Sequence, residues 1–532
     1  MKASLSQHEY FVVRWLKAKT PELILGALVF LYVYSVSGRV FSDFWSDEIY
    51  TLKHFVLVPL SVTMGDYHVP NNHVLFSIML NVWTTFLGLD TLRDVFVSPY
   101  LVRCFPLCFS IVAVFITYRI GEYLCDSWLG IVAASILVFS ISFFEFGIQL
   151  RGYSLSICLV AAIILMSFKL MNQSKVLQFV YVVVLTAMLG YTIPLNYYFL
   201  LGLFLTIIGK AGLGYLRSGC DKKSALVEFT RSAPLALALI IGVALSLLLY
   251  LPILQEVFVN QYVEGKGFDL NRTIKVFYLV IGGFLSRRTG ILVLAAIGIC
   301  WVLRKKQFSD EFGDVVFLGA VFITAFIISA VKGDNPPPRA FVNLVPVFSI
   351  GVGWLIYRVC QKISLTQFAV VVFCLIGALE HYYERDRLES LVRSNLEKTR
   401  GPSRPQELNY GYYSYGYQPL ADIRAFERHR TSGRPLIIGD AEPNGLSEYL
   451  GAMGIEHILT GLSIPDVDGR PWEGPGLDEL ARRYPGGFYF VTRFHNRLYR
   501  SLVESGVPSR VTSISKKPTY HNFFYIEPGP VP

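Results

Sequence analysis

The chain has little charge. Asp, Glu, Lys and Arg make up 16% of its 532 residues, against about 25% in a soluble domain. Mean hydropathy is +0.47. This balance excludes an ordinary water-soluble enzyme, and the composition likewise excludes collagen, disordered chains and coiled coils. Cysteine is sparse: eight residues, at 104, 108, 125, 158, 220, 300, 360 and 374, with none beyond Cys374. No pair has zinc-ribbon spacing, and no disulfide framework is implied. After His381 no apolar run is long enough to span a bilayer, and there is no G-x-G-x-x-G or Walker loop, so no nucleotide is assigned there. A net charge of +9 is modest for this length. It reads as an orientation signal and headgroup contact, with membrane lipid as a partner and no nucleic acid.

What the sequence does have is long apolar runs. The first, Leu23–Phe41, follows Lys2, Arg14, Lys17 and Lys19. It is too long for a signal-peptide core and has no clear cleavage site, so it reads as an uncleaved span behind a cytoplasmic segment, 1–22. Ten more follow: Leu101–Arg119, Trp128–Phe144, Ser154–Leu170, Val176–Ile193, Tyr197–Leu213, Pro234–Leu251, Gly290–Leu303, Asp314–Val331, Ala340–Tyr357 and Leu365–Leu379. The expected fold is a polytopic α-helical membrane protein of about eleven spans. Basic residues fall on alternate loops: Arg119; Lys169 and Lys175; Lys210, Arg217, Lys222, Lys223 and Arg231; Arg304, Lys305 and Lys306; Arg358 and Lys362. All lie on the side of the N-terminus, as the positive-inside rule requires. His73–Leu89 is also apolar, but a span there would flip every later loop. It is therefore read as an amphipathic helix in the outer interface, and Ile274–Leu285 is read the same way.

An odd number of spans leaves the C-terminal region outside. The transmembrane domain is 23–380, with an outer loop at 42–100, a linker at 381–417 and an extracytoplasmic α/β domain at 418–532. In that domain Pro435–Gly439, His457–Thr460, Gly487–Thr492 and Phe523–Ile526 read as strands. Leu446–Met453, Leu477–Arg483 and Asn496–Ser505 read as helices, and Tyr410–Tyr417 as the Tyr/Gly-rich part of the linker.

Four outer loops carry polar groups. The first holds Asp43, Asp47 and Glu48 at the exit of the first span. Carboxylates at a low-dielectric boundary lose solvation, a cost tolerated mainly where the charge is used; a solvated acidic loop is the plainer reading. Further along come Asp66, His68, Asn71, Asn72 and His73. His and Asp can ligate a metal or position phosphate or sugar hydroxyls, so Asp66, His68 and His73 are candidate ligands of a divalent ion. The spacing matches no strong metal motif, and the Asn residues equally suit turns or helix caps. The third loop places Arg151 before Tyr153, where it can snorkel to headgroups or meet a phosphate. The fourth holds Arg339 behind Pro336-Pro337-Pro338, a stiff approach suited to bidentate phosphate binding or to interface anchoring. The topology puts all four on one face.

These motifs resemble the GT-C glycosyltransferases that use polyprenyl-phosphate sugars, most of all the branch of the protein O-mannosyltransferases and the aminoarabinose transferase of lipid A. The likeness runs from Leu23 to Leu379. It rests on Asp47-Glu48 after the first span, and on His73-Val74-Leu75-Phe76-Ser77 after Pro70-Asn71-Asn72, where the family often has His-Pro-Pro-Leu-Tyr. It rests also on Arg103 with Pro106 followed by Gln149 to Leu155, similar to Ala-Arg-x-Tyr-x-Leu, and on Pro338-Arg339-Ala340-Phe341 with Pro346. Asn71-Asn72 stands in place of prolines and Ala340 in place of a tyrosine. The resemblance implies transfer of a sugar from a polyprenyl-phosphate donor to a hydroxyl of a glycan, lipid or protein acceptor, outside the membrane, with inversion. It implies Asp47 as general base, with Glu48 beside it as the second catalytic carboxylate, and Arg339 and Arg151 as the donor-phosphate clamp. Asp66, His68, Asn72, His73 and Tyr153 would then bind substrate.

Rival classes make different demands. A transporter or flippase for a lipid-linked or anionic substrate needs midplane acids, broken helices and repeats. A scaffold whose outer domain binds a partner needs no convergent polar loops. A ligase or polymerase using a diphosphate-linked donor keeps the same fold. Topology is the first test: an export-dependent reporter fused after Glu384 should be active, and one fused after Lys306 should be silent. The reverse result would turn Asp47, Arg151 and Arg339 to the cytoplasm and end the outer-face reading.

Overall fold

The computed structural model describes residues 7–173, 175–217, 222–258, 267, 269–285, 290, 310–333, 336–361, 366–399, 418–439, 445–459, 477–492, 498, 509–514 and 521–529. Among them, eight helices are long and apolar enough to cross a bilayer: Lys19–Val40, Pro99–Leu124, Tyr153–Gln173, Pro194–Gly212, Thr230–Leu249, Gly313–Lys332, Pro338–Cys360 and Thr366–Arg387. Three shorter apolar helices are Val74–Phe86, Ser127–Phe139 and Val176–Thr192. The chain is a multi-pass integral membrane protein. The span expected at Gly290–Leu303 and the basic cluster Arg304–Lys306 fall outside the described residues, Gly290 apart.

Length sorts the apolar segments. Val74–Phe86 has 13 residues, about 20 Å at 1.5 Å per residue, short of the ~30 Å hydrocarbon core. Leu270–Phe284, with 15 residues, buries Val280, Gly283 and Phe284 while exposing Leu270, Ile274 and Tyr278. The run read as one span from Trp128 to Phe144 is broken. Ser127–Phe139 stops, and Ile141–Phe146 starts again behind Ser140, whose hydroxyl oxygen accepts the Phe143 N–H at 3.3 Å. The same hydroxyl donates to the Gly283 carbonyl at 3.1 Å.

The chain forms two compact units. The first comprises Met1–Gly38, Ser61–Met79 and Arg103–Glu384. Its helices pack closely where side chains are absent. A Cβ on Gly121 would lie 2.6 Å from the backbone of Gly130, so Pro99–Leu124 and Ser127–Phe139 meet backbone to backbone there.

The second unit comprises Arg39–Leu60, Leu80–Val102 and Arg385–Pro532. Much of the outer loop 42–100 thus folds with the C-terminal residues instead of with the spans. Thr366–Thr399 is one 34-residue helix and runs through 381–399, the first part of the expected linker. Rising charge there marks a polar helix, since Glu, Arg and Leu favour helix and no Gly or Pro intervenes before Gly401. The segment Tyr410–Tyr417 is outside the described residues.

Among the described residues, the C-terminal sheet is mixed, with five strands: β1 Leu436–Ile438, β2 Ile458–Leu459, β3 Phe488–Thr492, β4 Ser509–Ser513 and β5 Asn522–Pro528. Their order is β2-β1-β3-β5-β4. β1 is parallel to β2 and β3, with Ile437 opposite Ile458 and Phe490. β5 is antiparallel to both β3 and β4. β1 and β3 are buried at every position, which is why they read as continuous apolar runs. Ile437, Phe488, Phe490, Phe524 and Ile526 form a core with Leu480 and Leu498. The Leu446–Ala452 and Leu477–Arg483 helices lie where the sequence places them. The helix expected at Asn496–Ser505 lies outside the described residues except Leu498.

Candidate functional site

In the second unit, the first outer loop turns into a six-residue helix, Ser46–Thr51. Glu48 stands at its third position, buried, and accepts the Trp45 N–H through Oε2 at 2.9 Å. This carboxylate therefore caps its own helix. Asp47 is half-buried on the first turn, where the positive end of a helix favours a carboxylate.

In the first unit, two irregular segments meet. Asn72 is fully buried and donates from Nδ2 to the Thr63 carbonyl at 2.9 Å and the Asp66 carbonyl at 2.8 Å. It folds the loop back on itself. His68 and Asp66 face one another, with Nδ1 2.5 Å from Oδ1, and both are partly exposed. The adjacent Tyr67 is buried in a cluster with Val74, Tyr191, Tyr250 and Ile253. Its N–H donates to Glu256 Oε2 at 2.6 Å, and burial pushes its phenol pKa up.

The second segment is the turn between the Ile141–Phe146 and Tyr153–Gln173 helices. The Gly152 N–H donates to His73 Nδ1 at 2.7 Å. The Arg151 guanidinium donates to Asn71 Oδ1 at 2.5 Å. The Tyr153 ring takes Arg151 on its face at 5.2 Å and the edge of His73 at 5.2 Å. Gly152 has no room for more: a Cβ would sit 2.7 Å from Thr192 Cγ2 and 3.1 Å from His73 Cβ. Arg151 is buried, 5% exposed.

Arg339 enters from a third segment. Pro337 is extended, at φ −62° and ψ 152°, and a 3-10 turn starts at Pro338, carrying half-buried Arg339. Of its loop, Asp334 and Asn335 are outside the described residues. His73 is 3% exposed. Burial first, and then the positive charges of Arg151 and Arg339, hold its pKa well below the ordinary range. The imidazole is thus neutral, with Nδ1 as acceptor, and two guanidinium charges act on it. Such a histidine opposes folding only as pH falls below about 6.5, where the unfolded chain takes up the proton.

The arrangement unites Arg151, Asn71, His73, Tyr153 and the charge of Arg339. It does not gather Asp66, His68 and His73 into a metal set. The first two pair with each other, His73 is turned to Gly152, and among the described residues no three His, Cys, Asp or Glu side chains group as metal ligands. Asn72 is used up on backbone carbonyls through its amide nitrogen. Asn71 was read from sequence as a turn or cap residue, and Glu256 was not singled out. Their partners lie 80 and 189 residues away, so no local spacing marks them.

No family model matches this chain, and no curated relative does. Solved structures do. The chain is similar to ArnT from Cupriavidus metallidurans in the apo state, at 12% identity and a TM-score of 0.51, covering 98% of this chain and 100% of that one. It is equally similar to the same protein bound to undecaprenyl phosphate, at 11% identity and a TM-score of 0.51, covering 96% and 99%. The fold is ArnT-like across nearly the full length, beyond the Leu23–Leu379 stretch that the resemblance read from the sequence covers.

The hydrogen bond into His73 yields a test. His73→Asn keeps an acceptor near Nδ1 and should retain most activity. His73→Ala leaves the Gly152 N–H unpaired and should lose about five- to 150-fold, since an orphaned buried donor costs about 1–3 kcal/mol. The pH–rate profile of His73→Asn should overlay the parent between about pH 5 and 8. A lost limb in that window would make His73 a proton-transfer group.

Proposed function

We propose that this protein is a membrane glycosyltransferase that moves a sugar from a polyprenyl-phosphate donor to an acceptor hydroxyl on the outer face of the membrane, with inversion. The observation that carries this reading is a buried guanidinium, Arg151, held by Asn71 and the face of Tyr153 beside His73, in a fold whose solved relative holds undecaprenyl phosphate. Arginine presents a planar fork that matches phosphate oxygens.

In the proposed reaction the Asp47 carboxylate takes the acceptor hydroxyl proton. The freed oxygen attacks the anomeric carbon from the side opposite the phosphate. The anomeric C–O bond breaks, and polyprenyl phosphate leaves with the electron pair. Arg339 and Arg151 neutralise the charge that grows on it. Glu48 serves through its cap, by holding the helix that presents Asp47. Asp66 and His68, the more exposed pair, are assigned to the sugar or acceptor, and Tyr153 backs Arg151. The C-terminal domain is assigned to the outer side of a cell inner or plasma membrane.

Each role has a size. Base assistance is worth about 100- to 10,000-fold. Asp47→Asn keeps the shape but cannot take a proton, so it should abolish transfer while inserting normally; parent-like turnover would remove Asp47 from the chemistry. For Arg339, loss of one preorganised partner costs about 2.7–4 kcal/mol. Arg339→Lys should be nearly as impaired as Arg339→Ala, because the charge survives but the fork does not. Free substitution by Lys would reduce Arg339 to a point charge or a headgroup anchor. Both are measured as consumption of the cell's own lipid-linked sugar pool by mass spectrometry, in membranes lacking the chromosomal copy.

A further inference from the structure

The Asp47 helix has six residues, too few to persist alone, so something must fix it. We infer that Tyr449 is a positioning residue for Asp47, and that the C-terminal domain contributes to the reaction by holding the Asp47 helix at its entry. This rests on the reading of Asp47 as the base.

The contacts bracket the helix. Before it, the Phe44 N–H donates to the Tyr449 hydroxyl oxygen at 2.6 Å across 405 residues of sequence. Phe44 and Tyr449 are both 0% exposed, so this is the bond that satisfies a buried backbone donor. The Tyr449 ring stacks on Phe96 at 4.0 Å and 19°, and Phe96 lies against Phe44 at 6.1 Å. One residue earlier, Asp43 Oδ2 accepts the Leu420 N–H at 2.9 Å. After the helix, Lys53 Nζ meets Glu448 Oε1 at 2.5 Å. Glu448 and Tyr449 are neighbours on the Leu446–Ala452 helix, so one short helix reaches both ends of the Asp47 segment. The ion pair is partly exposed, and such pairs contribute little; the buried Tyr449 bond is the stronger restraint. No proton moves through Tyr449. It acts by fixing where the Asp47 carboxylate stands, and a displacement of about 1 Å can cost 100-fold in rate.

The test uses the full-length protein. Tyr449→Phe keeps the ring stack and removes the acceptor of the Phe44 N–H. Transfer, read as consumption of the lipid-linked sugar pool in membranes lacking the chromosomal copy, should fall about ten- to 100-fold. Amide exchange over 44–51 should quicken, while the affinity for undecaprenyl phosphate stays at the parent value. Asp43→Ala, which removes the Leu420 tether without touching the aromatic core, should lower transfer in the same sense and decides the matter should Tyr449→Phe fail to fold. Parent-like transfer in both variants, with Asp47→Asn inactive, overturns the positioning role alone. Parent-like transfer in Asp47→Asn overturns the base assignment and this inference with it.

Discussion

A bilayer offers no partner for a backbone N–H or C=O, so the chain inside it must be helical. Everything else here follows from that restriction. Inside the spans, side chains can only pack. Chemistry is left to the places where the helix stops. The polar groups of the first unit sit on three such stretches: the loop 66–73, the turn 147–152, and the proline approach to Arg339. Each irregular stretch must then satisfy its own backbone groups, and it does so with the side chains that give the site its shape. Asn72 takes two carbonyls, Glu256 takes the Tyr67 N–H, and His73 takes the Gly152 N–H.

These bonds explain a division of labour that residue type alone does not reveal. Two of the polar residues that look most chemical, Glu48 and His73, are engaged with backbone N–H groups and hold geometry. A site at a membrane surface needs such stiffening more than a site in a soluble core does, because loops there have packed helices on one side only.

Much of this was legible in the sequence. Apolar run length gave most of the long helices, and the buried strands β1 and β3 announced themselves as unbroken apolar runs. Strand β4 did not. It reads Ser-Arg-Val-Thr-Ser, and as an edge strand it buries little, so no alternation marks it. The Pro419–Glu427 helix buries Ile423 and Phe426 on one side, but at nine residues it is too short for periodicity to declare it. The break at Ser140 was hidden because residues on both sides of it are apolar; only the hydroxyl that caps the second helix betrays it. Asp47, His73, Arg151 and Arg339 were each legible as letters. The contacts around them were not, because Asn71 meets Arg151 across 80 residues and Tyr449 meets Phe44 across 405, and spacing carries no information over such distances.

The neutrality of His73 bears on how the arginines would meet an anion. Two influences keep its proton off: burial, which is the larger, and the charges of Arg151 and Arg339. A phosphate arriving between the guanidiniums would offset the second. It would leave the first untouched, because a ligand that fills the space beside a buried ring adds no water to it. Burial would still act to hold the pKa down, in the direction that leaves Nδ1 free to accept the Gly152 N–H. A protonated His73 would surrender that bond, and with it the turn that carries Arg151, at the moment the arginine is needed. Burial, the larger influence, thus ties the His73 bond to the fold and not only to the charges beside it.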